Sequence, residues 1–114
     1  MKDCLFCKIA QGEMKANTAF RDDRAVAFHD INPQAPVHVL IVPVKHIESL
    51  LDLEQGDLEL LGHLHTIAAR LARELDVADS GFRIVINTNR DAGQSVPHLH
   101  LHLLGGRPMA WPPG

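Results

Sequence analysis

The chain has 114 residues, enough for one compact domain with a single core. Its composition, 46% hydrophobic and 22% charged, is that of a globular domain and excludes bulk disorder. A formal net charge of −3 argues against a nucleic-acid polymer as partner, and no apolar run approaches the ~20 residues that cross a bilayer.

Cys4–Gln11 reads as a short helix stopped at Gly12. Thr18–Arg21 and Ala25–His29 are extended segments joined by the polar Asp22-Asp23-Arg24, a hairpin signal. Two prolines make Asn32–Pro36 a loop, and the β-branched Val37–Val44 follows as a central strand. Asp52 with Gln55 resembles a capping box, which starts a long helix near Leu53. On a helical wheel Leu60, Leu61, Leu64, Ile67, Ala68, Leu71 and Leu75 share one arc, opposite Glu59, Thr66, Arg70 and Arg73. Two further strands, Phe82–Thr88 and His98–Leu104, flank the polar loop Asn89–Pro97. Prolines keep the tail, residues 107–114, out of regular structure. This order predicts a single α+β domain over residues 1–114, an antiparallel sheet with helices packed on one face.

Histidine is the unusual residue, with eight copies. Alternation along a strand sends His98, His100 and His102 to one face and Leu99, Leu101 and Leu103 to the other, with neighbouring imidazoles ~7 Å apart. Two chemistries suit such a face: metal ligation, or nucleophilic attack by a ring nitrogen whose neighbours fix its tautomer. The loop before it favours the second, because Gly93, Gln94 and Ser95 offer N–H groups, an amide and a hydroxyl to a phosphate. Cys4-Leu5-Phe6-Cys7 has the spacing of two thiolates on one tetrahedral ion and needs two more ligands. Two cysteines so close cannot staple a fold, and the N-terminus has no long apolar secretory region, so a cytoplasmic protein is expected. His63 and His65 flank the apolar arc and read as solvated. His29 falls on the opposite face from Asp30, away from any pocket.

The run from Gly93 through Arg107 is similar to the signature of the histidine triad (HIT) superfamily, His-φ-His-φ-His-φ-φ. Phe28–His38 resembles that family's nucleotide-binding segment, and Ile41–Ile47 with Trp111-Pro112-Pro113-Gly114 resembles its HINT branch of purine nucleoside phosphoramidases. The resemblance implies a five-stranded antiparallel sheet with one short and one long helix, pairing into a ten-stranded two-fold homodimer. It implies hydrolysis of purine nucleoside 5′-phosphoramidates and related acyl-nucleotides through a nucleotidyl-histidine. His100 would be the nucleophile, His38 and His102 would orient it and meet the phosphate, and Ser95 would support the leaving amine. Phe28, Asp30, Ile31, Asn32, Leu40, Asn87, Gly93, Gln94, Ser95 and Val96 would bind the nucleotide together with His100 and His102. A structural zinc on Cys4, Cys7, His46 and His98 would stabilise the N-terminal segment and take no part in the chemistry. No catalytic cofactor is implied, and the tail would lie near the active site. Three other readings compete: a purine mononucleotide-binding module with weak turnover, a dinucleoside polyphosphate hydrolase, and a zinc hydrolase built on the His98/His100/His102 face.

Overall fold

A computed structural model describes residues 3–114. Helix α1 (Leu5–Ala10) is followed by strands β1 (Thr18–Arg21), β2 (Ala25–His29) and β3 (Val37–Pro43). Helix α2 (Leu58–Glu74), β4 (Phe82–Val85), the short α3 (Asn89–Ala92) and β5 (Leu101–Gly105) complete the chain. The five strands form one antiparallel sheet in the order β1-β2-β3-β5-β4.

Alternation along the central strands sorts their side chains into two cores. Ala25, Ala27, Val39, Ile41, Leu101 and Leu103 point to one face and pack with Leu64, Ile67, Ala68 and Leu71 of α2. Val26, Phe28, Leu40 and Val42 point to the other and pack with Phe6, Cys7, Ile9 and Ala10 of α1. The helices therefore cover opposite faces, which corrects the expectation of helices on one face. The consequence is functional: β5 turns its leucines toward α2 and its histidines toward the thinner α1 layer.

Three boundaries also differ from the sequence reading. The long helix starts at Leu58, not near Leu53, after two 3-10 turns at Leu50–Asp52 and Gln55–Asp57. Asp52 is occupied elsewhere, accepting from the Ser49 hydroxyl at 2.9 Å, and the capping box is formed by Glu54 and Asp57 instead. The expected strand 98–104 pairs only from Leu101, because the backbone N–H of His98 bonds Val96 and that of Leu99 bonds Ile47, outside the ladder. β4 ends at Val85, not Thr88, and the following loop carries the turn of α3. His63 is half-buried rather than solvated, its Nε2 lying 2.7 Å from Asp22 Oδ2. His65 is exposed, as expected.

Candidate active site and metal centre

Two clusters of imidazoles meet at the start of β5. In the first, Cys4 at the N-cap of α1 and Cys7 within it face His46, just beyond β3, and His98. Cys4 Sγ lies 3.2 Å and Cys7 Sγ 3.5 Å from His98 Nδ1, and His46 Nδ1 lies 3.2 Å from both Cys7 Sγ and His98 Nδ1. Zinc bonds of about 2.3 Å to sulfur and 2.0–2.1 Å to nitrogen place neighbouring donors of a tetrahedron roughly 3.3–3.8 Å apart. Of the four observed edges, the one at 3.5 Å lies in that range and the three at 3.2 Å fall just short of it, a slightly contracted version of that shape. The second shell agrees: His98 Nε2–H donates to the Pro43 carbonyl at 2.8 Å, leaving the Nδ1 lone pair aimed into the cluster. Without a cation, burial and the Cys4 sulfur beside it push the Cys7 thiol up to about 11. Two buried thiols with the imidazoles of buried His98 and half-buried His46 around one point fit a tetrahedral metal ion.

The second cluster does the opposite. Asp30, His38 and His102 also bring their ligand atoms within 4.8 Å of one another. Here, however, the Gln34 backbone N–H donates to His38 Nδ1 at 3.0 Å, so the proton of His38 sits on Nε2. That Nε2–H points at His102 Nδ1 (2.9 Å) and Asp30 Oδ2 (3.4 Å). A metal on His38 Nε2 would require a proton on Nδ1, facing another N–H. The cluster is thus built around a proton, and the His98/His100/His102 face of the zinc-hydrolase reading is not gathered into one donor set, since His98 turns its Nδ1 to the cysteines. Because His102 Nδ1 accepts, its Nε2 carries the other proton, and this buried donor has no partner among the described residues.

His100 lies between the clusters, 5% exposed. Its Nδ1–H donates to the His98 carbonyl at 2.7 Å, which leaves Nε2 as a bare lone pair. Burial lowers its pKa, so the imidazole is neutral at pH 7. Burial likewise lowers His38, and it pushes His102 down to about 4 with the neighbouring His100 and His38 adding to the effect. A neutral nitrogen nucleophile therefore stands beside one oriented N–H donor.

A cavity of about 400 Å³ opens over these rings. Phe28, Asp30, Ile31, Leu40, Ser95, Val96, His100 and His102 line it, all of them anticipated from the sequence. Ile31 does so from a fully exposed position at its rim. His29 borders the cavity too, contrary to expectation: β2 ends there, so strand alternation no longer separates it from Asp30. The sequence reading missed the wall supplied by Leu5, Phe6 and Ile9 of α1 and by residues 14–17. The alternation of buried and open positions in so short a helix carries no readable period; the only signal was its bulky residues beside the cysteines.

Other anticipated residues sit outside this cavity. Asn32 is exposed, and its backbone N–H donates to Asp30 Oδ1 at 2.8 Å. Asn87 is half-buried just after β4. Gly93 takes the left-handed conformation (φ 81°) that ends α3 and, with Gln94 and Ser95, borders a shallower recess. The Gln94 amide is already engaged, donating to the Val96 carbonyl of its own loop and to the distant Glu48 carbonyl and accepting from the Asn89 backbone N–H. Ser95 borders both concavities. In the tail, the Ala110 carbonyl accepts from Arg83 and Trp111 is 81% exposed.

A five-stranded antiparallel sheet that aims alternate histidines of one strand into an apolar cleft defines the histidine triad class of protein. The chain belongs to that family: residues 11–109 match the HIT domain. It is 42% identical over 108 residues to the purine nucleoside phosphoramidase of Escherichia coli K12, covering 95% of this chain and 91% of that one. A HIT family hydrolase from Legionella pneumophila superposes with a TM-score of 0.96 at 52% identity, over 98% of this chain and 100% of that one. A histidine triad protein from Clostridium difficile superposes with a TM-score of 0.93 at 42% identity, over 96% of both chains.

Proposed function

We propose that this chain is a nucleotide hydrolase that cleaves purine nucleoside 5′-phosphoramidates through a nucleotidyl intermediate on His100. The observation that carries the reading is the tautomer arrangement. His100 Nδ1–H is held by the His98 carbonyl, so Nε2 presents its lone pair to the cavity, while His102 Nε2–H is an unused donor beside it. The similarity to the Escherichia coli phosphoramidase supports the substrate class.

In this mechanism the base lies among Phe28, Leu40 and the α1 wall, and Asp30 accepts from ribose hydroxyls. His100 Nε2 attacks phosphorus, and the P–N bond breaks with its electron pair leaving on nitrogen. Ser95, at the junction of the two concavities, stands on the side of the departing amine, and His102 Nε2–H stabilises a phosphoryl oxygen. The departing nitrogen takes a proton from solvent by way of the Ser95 hydroxyl, which is reprotonated in turn. Water then attacks phosphorus as the phosphorus–Nε2 bond breaks, and its proton returns to solvent, restoring neutral His100 and releasing the nucleoside monophosphate. Gln94 acts through the shape of the 89–97 loop, which its amide ties to Glu48. Asn32 and Asn87 are secondary contacts to the sugar side.

Cys4, Cys7, His46 and His98 hold the structural zinc in this reading, and a bound ion there supplies a cross-link between α1 and the start of β5. We further infer a homodimer, supported by the open outer edge of β4 and the exposed Phe82 on it. No helix among the described residues is long and apolar enough to cross a membrane. The proposal is tested by turnover of adenosine 5′-phosphoramidate by His100→Asn. The expected result is a loss of at least about 10³-fold in kcat with AMP binding retained, and near-normal turnover overturns the assignment.

A further inference from the structure

The metal centre and the nucleophile share more than a neighbourhood. His98 contributes its ring to the cysteine cluster and its backbone carbonyl to His100 Nδ1–H. Phe6, between the two cysteines in sequence, sets its ring perpendicular to that of His100, with centroids 5.0 Å apart and planes at 85°. The same ring meets His98 at 6.0 Å and Phe28 at 5.5 Å, both in T-shaped geometry. Phe6 is buried and lines the cavity. One short helix therefore carries two ligands of the metal centre and, between them, the side chain in contact with the nucleophilic ring.

We propose that Phe6 is a positioning residue for His100, held in place by the Cys4/Cys7/His46/His98 centre, so that this centre governs the orientation of the nucleophile as well as the stability of the fold. The physical reason is that an imidazole with one hydrogen bond still has freedom to rotate about its ring axis. The His98 carbonyl fixes the Nδ1 end, and the perpendicular Phe6 ring packed against the imidazole limits its swing. A ring that swings loses both the direction of its lone pair and the single tautomer, because Nε2–H with a bare Nδ1 becomes accessible once the bond to His98 lengthens. α1 is held along its length by the packing of Phe6, Ile9 and Ala10 on the sheet, at its C-terminal carbonyls, Ile9 and Ala10, by Arg21, and at its N-terminal end by the cysteines. On this proposal a zinc at the centre still takes no part in the bond changes. It stays outside the reacting atoms, and it acts on them through Phe6 and His98.

This inference rests on His100 being the nucleophile, and its test reads the ring directly as well as the rate. The experiment compares the wild-type holoprotein with Phe6→Leu and with Cys4→Ser/Cys7→Ser, using long-range ¹H–¹⁵N spectra of the His100 ring, metal content, AMP affinity and phosphoramidate turnover. Wild-type protein is expected to show one His100 tautomer, with Nδ1 protonated. Phe6→Leu is expected to keep its metal and to show a second tautomer or exchange broadening. Its kcat at saturating substrate should fall about tenfold, a loss that weaker AMP binding through the trimmed cavity wall does not account for. The cysteine variant is expected to show the same ring heterogeneity, and adding Phe6→Leu to it should produce little further loss of kcat, because both act through one contact. If the cysteine variant does not fold, Phe6→Leu alone decides. A single unchanged His100 tautomer in Phe6→Leu overturns the inference, as do additive kinetic losses in the combined variant. Absence of turnover in the wild type would instead refute the proposed function, while the ring spectra would still report on the coupling.

Discussion

Lowering the pH should destabilise this protein through His102, and the size of the effect follows from its surroundings. Burial, with His100 and His38 alongside, holds its pKa at about 4 against an ordinary value of 6.5. Between those values the unfolded chain binds a proton that the folded chain does not, so stability rises with pH across this window and is lost as pH falls through it. A displacement of that size corresponds to at most about 3 kcal/mol, and partial exposure of the ring reduces it to about 2 kcal/mol. His102→Asn removes the titration and keeps an oxygen able to accept from His38 Nε2–H. Urea unfolding of both proteins at several pH values from 7.5 down to 4.5 measures the difference. Wild type should lose about 2 kcal/mol more than the variant over that range, most of it below pH 6.5. Parallel stability curves for the two proteins would show that burial does not hold His102 neutral, and the tautomer chain from Gln34 through His38 to His102 would fall with it.

Further outcomes follow from the packing and the two clusters. Gly105→Ala should cost about 1–3 kcal/mol in chemical denaturation, because the new Cβ meets Val77 Cβ at 2.8 Å on the buried side of β5. Cys4→Ala with Cys7→Ala should abolish bound zinc, measured by metal analysis, and lower Tm by several degrees; a metal-replete variant would refute the ligand set. Arg21→Ala removes the guanidinium that donates to the Ile9 and Ala10 carbonyls, so AMP affinity in calorimetry should fall several-fold through a loosened α1 wall. Deleting Met109–Gly114 should change the ranking of amine leaving groups more than the affinity for AMP. An unchanged ranking in competition assays would mean that the exposed Trp111 is only a terminus.

Much of this site was legible because its key residues obey a period. Leu101 and Leu103 bury completely while His100 and His102 face the cavity, as alternation requires, and the cysteine spacing pointed to a cluster that the fold completes from 39 and 94 positions away. What stayed hidden depends on competition between local bonds. Asp52 looked like a helix cap until Ser49 engaged it, and Gln94 looked free for phosphate until Glu48 and Asn89 occupied its amide. The α1 wall was hidden for another reason: its role comes from the sheet face it covers, and the α2-side leucines alone do not reveal that a second layer lies opposite.

The central claim is that His100 Nε2 forms a bond to phosphorus during turnover. Rapid mixing with adenosine 5′-phosphoramidate, acid-free denaturing quench within the first turnover, and intact-mass analysis with peptide mapping read this directly. The account predicts a transient species heavier by one adenylyl group, localised to His100 and absent from His100→Asn. Product formation at full rate with no adduct at any quench time, or an adduct mapped to another residue, would contradict it.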